Sequence, residues 1–79
     1  MPSVRDILNK LKWRGDKDFN RVEVWYRHRG APNDTKLIMG EEIVSVGKSF
    51  LETKTAMIPY HRVLKIVYEG EVLFDRSKI

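Results

Sequence analysis

Apolar residues along this chain follow two periods, and the change from one to the other divides it. Val4, Ile7, Leu8 and Leu11 recur at i, i+3, i+4 and i+7, the spacing of a single helical stripe. Ser3 precedes the stripe and Asp6 stands three residues on, a capping-box pattern at the positive end of the helix dipole. Lys10 and Lys12 sit toward the negative end, Asp6 and Lys10 form an i,i+4 pair, and Gly15 supplies a stop. The pattern predicts one helix from residue 3 to about 13. So short a helix is marginal alone in water, so its stripe must pack, and one face of a sheet is the expected partner.

After a polar loop over residues 16–20 the period drops to two. Val22, Val24, Tyr26 and His28 share one side of a strand, while Arg21, Glu23, Trp25, Arg27 and Arg29 share the other. Residues 30–34, Gly-Ala-Pro-Asn-Asp, form a turn cluster. Short apolar runs over 35–39, 43–46 and 49–53 read as strands separated by turns at 40–42 and 47–48, and residues 54–57 lead into Pro59.

The last stretch, 58–76, reads IPYHRVLKIVYEGEVLFDR. With Glu69-Gly70 as a two-residue loop, Tyr68 faces Glu71, Ile66 faces Leu73 and Leu64 faces Asp75. One side then carries Leu64, Ile66, Tyr68, Glu71, Leu73 and Asp75. The other carries His61, Val63, Lys65, Val67, Val72, Phe74 and Arg76. Leu64, Ile66 and Leu73 are the expected floor for the helix stripe, and Arg62 lies diagonal to Asp75, in reach of a salt bridge. Both sides are apolar in the middle, yet one short helix can cover only one. The expected fold is therefore α+β: an N-terminal helix on a curled, mainly antiparallel sheet of about five strands, half-open and barrel-like.

Composition narrows this further. Seventy-nine residues make a single domain, 1–79, with a small core. A chain this short gains only about 3–5 kcal/mol from such a core, and no cysteine is present to add disulfides or a thiolate-bound metal. Two histidines without HxxxH or HExxH spacing argue against a zinc site. No metal or other cofactor is expected. No run approaches the roughly 18 apolar residues of a membrane span, and Met-Pro-Ser-Val followed by Arg5 and Asp6 does not read as a signal peptide. The expectation is a soluble cytoplasmic protein with no membrane partner.

Charge is unevenly placed. Residues 1–29 hold eight Lys/Arg against four Asp/Glu, while residues 30–79 hold seven of each, so the whole net charge of +4 lies in the first part. A localised basic surface attracts polyanions, although mild basicity also serves solubility alone. On the strand at 21–29, Trp25 flanked by arginines suits stacking on a base beside phosphate contacts; alternatively it packs beneath the helix or a loop.

The two histidines are each followed by arginine, His28-Arg29 and His61-Arg62, and each pair lies beside a Pro-containing turn. Imidazoles can act as base and acid near neutral pH, and an arginine fork binds phosphate oxygens bidentately. The same groups serve binding alone, and a histidine bracing a turn is the structural alternative.

Here the residues carry a resemblance. Val4-Arg5-Asp6-Ile7-Leu8-Asn9-Lys10, His28-Arg29-Gly30-Ala31-Pro32, Ile58-Pro59-Tyr60-His61-Arg62-Val63 and Leu73-Phe74-Asp75-Arg76 resemble a family of small, mostly archaeal, uncharacterised proteins. Their domain is known as the RNA cyclic group end recognition domain. The resemblance implies recognition of RNA ends bearing a 2′,3′-cyclic phosphate, and by matching motif it implies Arg27, His28, Arg29, Tyr60, His61, Arg62 and Arg76 as binding residues. Phe74 stands where relatives more often have tryptophan.

Three functions follow as expectations. In the first, a non-catalytic module holds the RNA's terminal phosphate with His28, Arg29, His61 and Arg62. Tyr60 or Trp25 stacks on the last base, and Lys10, Lys12, Arg14 and Arg21 follow the backbone. In the second, a metal-independent cyclic phosphodiesterase or ribonuclease uses His28 and His61 as acid and base, with Lys65 or Arg62 stabilising the transition state. No carboxylate stands next to either histidine in sequence, and the chain is small for a shaped cleft. In the third, an adaptor docks beside an RNA repair or processing enzyme through Trp25 or the uncovered hairpin face. Oligomeric state is left open by the sequence.

Overall fold

A computed structural model of the protein describes residues 3–15 and 18–76. Asp16 and Lys17, part of the expected polar loop, lie outside the described residues. Helix α1 spans Val4–Trp13, as its apolar spacing requires. The Ser3 hydroxyl accepts from the Asp6 amide at 3.1 Å and the Asp6 carboxylate accepts from the Ser3 amide at 3.2 Å, closing the capping box. Seven strands follow: β1 (Val22–Arg27), β2 (Thr35–Met39), β3 (Ile43–Val46), β4 (Phe50–Thr53), β5 (Met57–Pro59), β6 (Val63–Tyr68) and β7 (Glu71–Asp75). Single 3-10 turns at Phe19–Arg21, Pro32–Asp34, Gly40–Glu42 and Tyr60–Arg62 lead into β1, β2, β3 and β6.

The α+β class stands, but the single curled sheet of about five strands is replaced by two antiparallel sheets. One has the order β2-β1-β6-β7 and the other β3-β4-β5, and neither closes into a barrel. The dividing corner is Gly40–Glu42. A Cβ on Gly40 would come within 1.7 Å of the Phe19 carbonyl oxygen and 2.8 Å of Val22 Cγ1, so only glycine lets the chain leave β2 this close to the Phe19–Arg21 turn. Beyond that corner β3, β4 and β5 pair among themselves and fold over the core, sending Leu51 and Ile58 into it. The second sheet packs on the same side as α1, so the other apolar face of the hairpin, which suggested curling, is left uncovered.

Core and register explain the remaining differences. Val4, Leu8 and Leu11 of α1 meet Val22, Val24, Tyr26, Ile38, Val63, Ile66 and Tyr68 of the four-stranded sheet. Glu69 and Gly70 both have positive φ, 49° and 84°, the two-residue turn that matches strand twist. Tyr68 faces Glu71, but a bulge after Val67 and Val72 then puts Phe74, not Leu73, opposite Ile66 and Lys65, not Leu64, opposite Asp75. A second irregularity on β6, beside Trp25 and Tyr26, pairs Val63 with Tyr26. Val63 is consequently fully buried, while Leu64 is only half-buried and belongs to the sheet's end instead of the floor under the helix. The diagonal relation between Arg62 and Asp75 loses its basis with the register.

Candidate nucleic-acid interface

Most of the candidate residues gather where β1 ends and β6 begins. Past Arg27 the chain turns through residues 28–34, and that turn is cross-braced by backbone. The His28 amide donates to the Asp34 carbonyl at 2.8 Å, the Asp34 amide to the Ala31 carbonyl at 2.8 Å, and the Ala31 amide to the His28 carbonyl at 3.2 Å. Asn33 and Asp34 both adopt positive φ, 57° and 51°, a conformation these two residue types accept more readily than other side chains. Thr35 then donates its hydroxyl to the Asn33 carbonyl at 3.0 Å. Opposite stands the Tyr60–Arg62 turn. Arg76, just past β7, ties it down: its guanidinium donates to the His61 carbonyl at 3.2 Å and its amide to the Leu64 carbonyl at 2.8 Å.

Between these turns opens a concavity of about 1080 Å³. Arg27 and Arg29 line it from one side, His61 and Arg62 from another, and Arg76 closes it from the end of β7. Asn33, Asp34, Thr35 and Leu64 complete the wall. Four guanidiniums and one imidazole face one carboxylate there. Guanidiniums are permanently charged forks suited to planar oxyanions, so the lining of the concavity has a composition that suits an anion. Arg76 also packs over the Phe74 ring at 5.0 Å, which fixes its plane. Phe74 therefore serves as a rest for an arginine, a role a tryptophan would also fill.

Two residues implied by the resemblance are placed elsewhere. His28 is exposed, sets its ring edge-on to Tyr26 at 6.0 Å, and does not line the concavity, so the two imidazoles are not gathered in it. Tyr60 is half-buried and its hydroxyl donates to the Gly47 carbonyl, clasping the 60–62 turn to the β3–β4 connection. Burial pushes its phenol above the ordinary tyrosine value, with the Arg5 charge pulling weakly the other way. Trp25 lies half-buried on the face of the four-stranded sheet opposite the core, paired with Leu37 and Lys65.

Over residues 1–76 the chain matches the MJ1316 RNA cyclic group end recognition domain. The protein belongs to this family. A UPF0248 protein of Methanococcus maripaludis is 36% identical over 75 residues, covering 92% of this chain and 97% of its own. A UPF0248 protein of Pyrobaculum aerophilum is 36% identical over 80 residues, covering 95% and 100%, and one of Thermococcus onnurineus is 34% identical over 77 residues, covering 96% and 87%. No solved structure matches.

In this member of the family the cations named for backbone contact lie apart from the concavity. Lys10 and Arg14 border a smaller hollow of about 320 Å³ between α1 and the β6–β7 hairpin, with Tyr68, Glu71 and Leu73. Arg21 donates to Glu69 at 3.1 Å at the hairpin tip and lies 3.9 Å from Asp18. Lys12 is exposed on α1. Tyr68, at the end of β6, borders the smaller hollow, whereas Leu64, near its start, lines the concavity, so the two are distinct. Among the described residues no group of three or more His, Asp or Glu is placed to hold a metal ion, and no helix is long and apolar enough to cross a membrane.

Sequence reasoning missed Asn33, Asp34, Thr35 and Leu64 as wall residues. The adjacent Asn-Asp in the turn was a signal for positive φ, but nothing local says that the turn faces residues 61–62. Leu64 was hidden by the irregularity that moves Val63 into the core.

Proposed function

We propose that the protein binds RNA ends through this concavity, holding a terminal phosphate ester between Arg29, Arg62 and His61 with Arg27 and Arg76 beside them. The single observation that carries the reading is the convergence of four arginines and a histidine from three separate chain segments on one open hollow. The family's description points the same way. Charge alone would favour a linear terminal phosphate, which carries more negative charge than the cyclic diester. Preference for a 2′,3′-cyclic phosphate must therefore come from shape, through contacts to the fused ring and ribose that a linear phosphate cannot make.

An equilibrium titration tests it, using one RNA sequence finished in cyclic phosphate, linear phosphate or hydroxyl. The account expects the cyclic end to bind at least about 10-fold tighter than the hydroxyl end, a difference of about 1.4 kcal/mol. Equal affinity for all three ends, with a steep loss in salt, reduces the protein to a nonspecific polyanion binder and contradicts the reading.

A further inference from the structure

The four-stranded sheet buries one face and leaves the other open. Trp25, Leu37, Lys65, Val67 and Val72 share the open face with the carboxylates Glu23 and Asp75, because residues paired across antiparallel strands point the same way. The core stripe of α1 and the buried residues of β4 and β5 cluster with Val22, Val24, Val63 and Ile66 on the other face. Leu37 and Val72 remain 37% and 54% exposed. At the centre, the Lys65 ammonium lies over the Trp25 ring at 5.5 Å. The Trp25 indole Nε1–H is hidden and has no hydrogen-bond acceptor.

These features fit one kind of ligand. A cation resting on an indole occupies the place where a flat base would stack, and it carries the charge that a backbone phosphate would draw away. A hidden donor without an acceptor costs free energy, so the site is not at its polar optimum as it stands. The face is also continuous with the concavity. Arg27 stands two residues from Trp25 on the same side of β1, about 6.6–6.8 Å along the strand, and lines the hollow. Lys65 adjoins Leu64, which lines it too.

We propose that this open face is a stacking platform for unpaired bases next to the RNA end, with Trp25 as the platform and Lys65 as a latch that swings from the indole to the adjoining phosphate. The direction of the strand across the face rests on the end-binding reading above; the stacking chemistry does not. The substrate class follows. The RNA must be single-stranded at its end, because a base held in a duplex cannot splay onto a sheet.

Trp13→Phe leaves Trp25 as the sole indole of the chain. This variant is titrated with tri-uridylate ending in cyclic phosphate, the same trimer ending in hydroxyl, and an abasic trimer ending in cyclic phosphate. The uridylate trimers quench Trp25 emission, whereas the abasic trimer leaves it unchanged and binds about 5- to 150-fold more weakly, the range of one lost base–aromatic stack. Trp25→Leu weakens uridylate binding by the same factor and leaves abasic binding as it was. Equal binding of uridylate and abasic trimers without change in Trp25 emission overturns the platform, even where cyclic and hydroxyl ends are still told apart. Quenching that is equal for cyclic and hydroxyl ends supports the platform while removing the end-binding reading.

Discussion

Gly40 shows how one residue sets the division into two sheets. Its missing Cβ is what allows the chain to pass the Phe19 carbonyl at the corner between β2 and β3. A backbone oxygen cannot rotate aside as a side chain can, so relief requires moving the Phe19–Arg21 turn. Gly40→Ala is expected to cost about 1–3 kcal/mol or more in urea unfolding, the range of an overpacked interior. Gly15→Ala, with nothing within 4 Å of the added carbon, is the control and should shift stability by less than about 0.5 kcal/mol. Equal effects at the two sites would contradict the corner's role. The sequence shows Gly40 as a turn residue and no more, because the atom it makes room for belongs to a distant part of the chain.

At the scale of elements, what was legible depended on local pattern. The α1 stripe and its Ser3–Asp6 cap, the alternation of β1 and the Glu69-Gly70 turn are all written in neighbouring residues. The bulges at Leu64 and Leu73 are not, since a two-residue period gives no sign of an extra residue until tertiary packing selects it. The same limit hid the clasp made by Tyr60. Its hydroxyl ties the turn before β6 to the connection between β3 and β4, joining the two sheets. Tyr60→Phe is expected to lower stability by about 1 kcal/mol near neutral pH. Burial raises this phenol's pKa, so the folded state keeps the proton after the unfolded chain has released it. Stability drawn from Tyr60 is therefore complete below the ordinary value near 10 and is lost as pH rises through it toward the raised value. Unfolding curves of wild type and Tyr60→Phe should converge across that window; a constant gap would contradict the assignment.

Across the whole molecule, the charge excess and the arginine-rich concavity do not coincide. The first 29 residues hold the net positive charge, yet the concavity draws Arg27 and Arg29 from there and takes His61, Arg62 and Arg76 from the balanced remainder. The His-Arg pairs and the family resemblance made five of the wall residues legible. The helix cations Lys10 and Lys12 were legible as charge but not as position, because nothing in the sequence says that Lys10 borders a hollow beside Tyr68.

The central claim is that the RNA end sits in this concavity. The most direct measurement is a cycle pairing Arg62→Ala with removal of the terminal cyclic phosphate from a tri-uridylate, with Lys10→Ala as the parallel control. In wild type and in Lys10→Ala, loss of the terminal phosphate should weaken binding at least about 10-fold, worth about 1.4 kcal/mol. In Arg62→Ala it should cost measurably less, because one of the phosphate's partners is already gone while Arg29 and His61 remain. The same loss in all three proteins would place the end elsewhere and contradict the account.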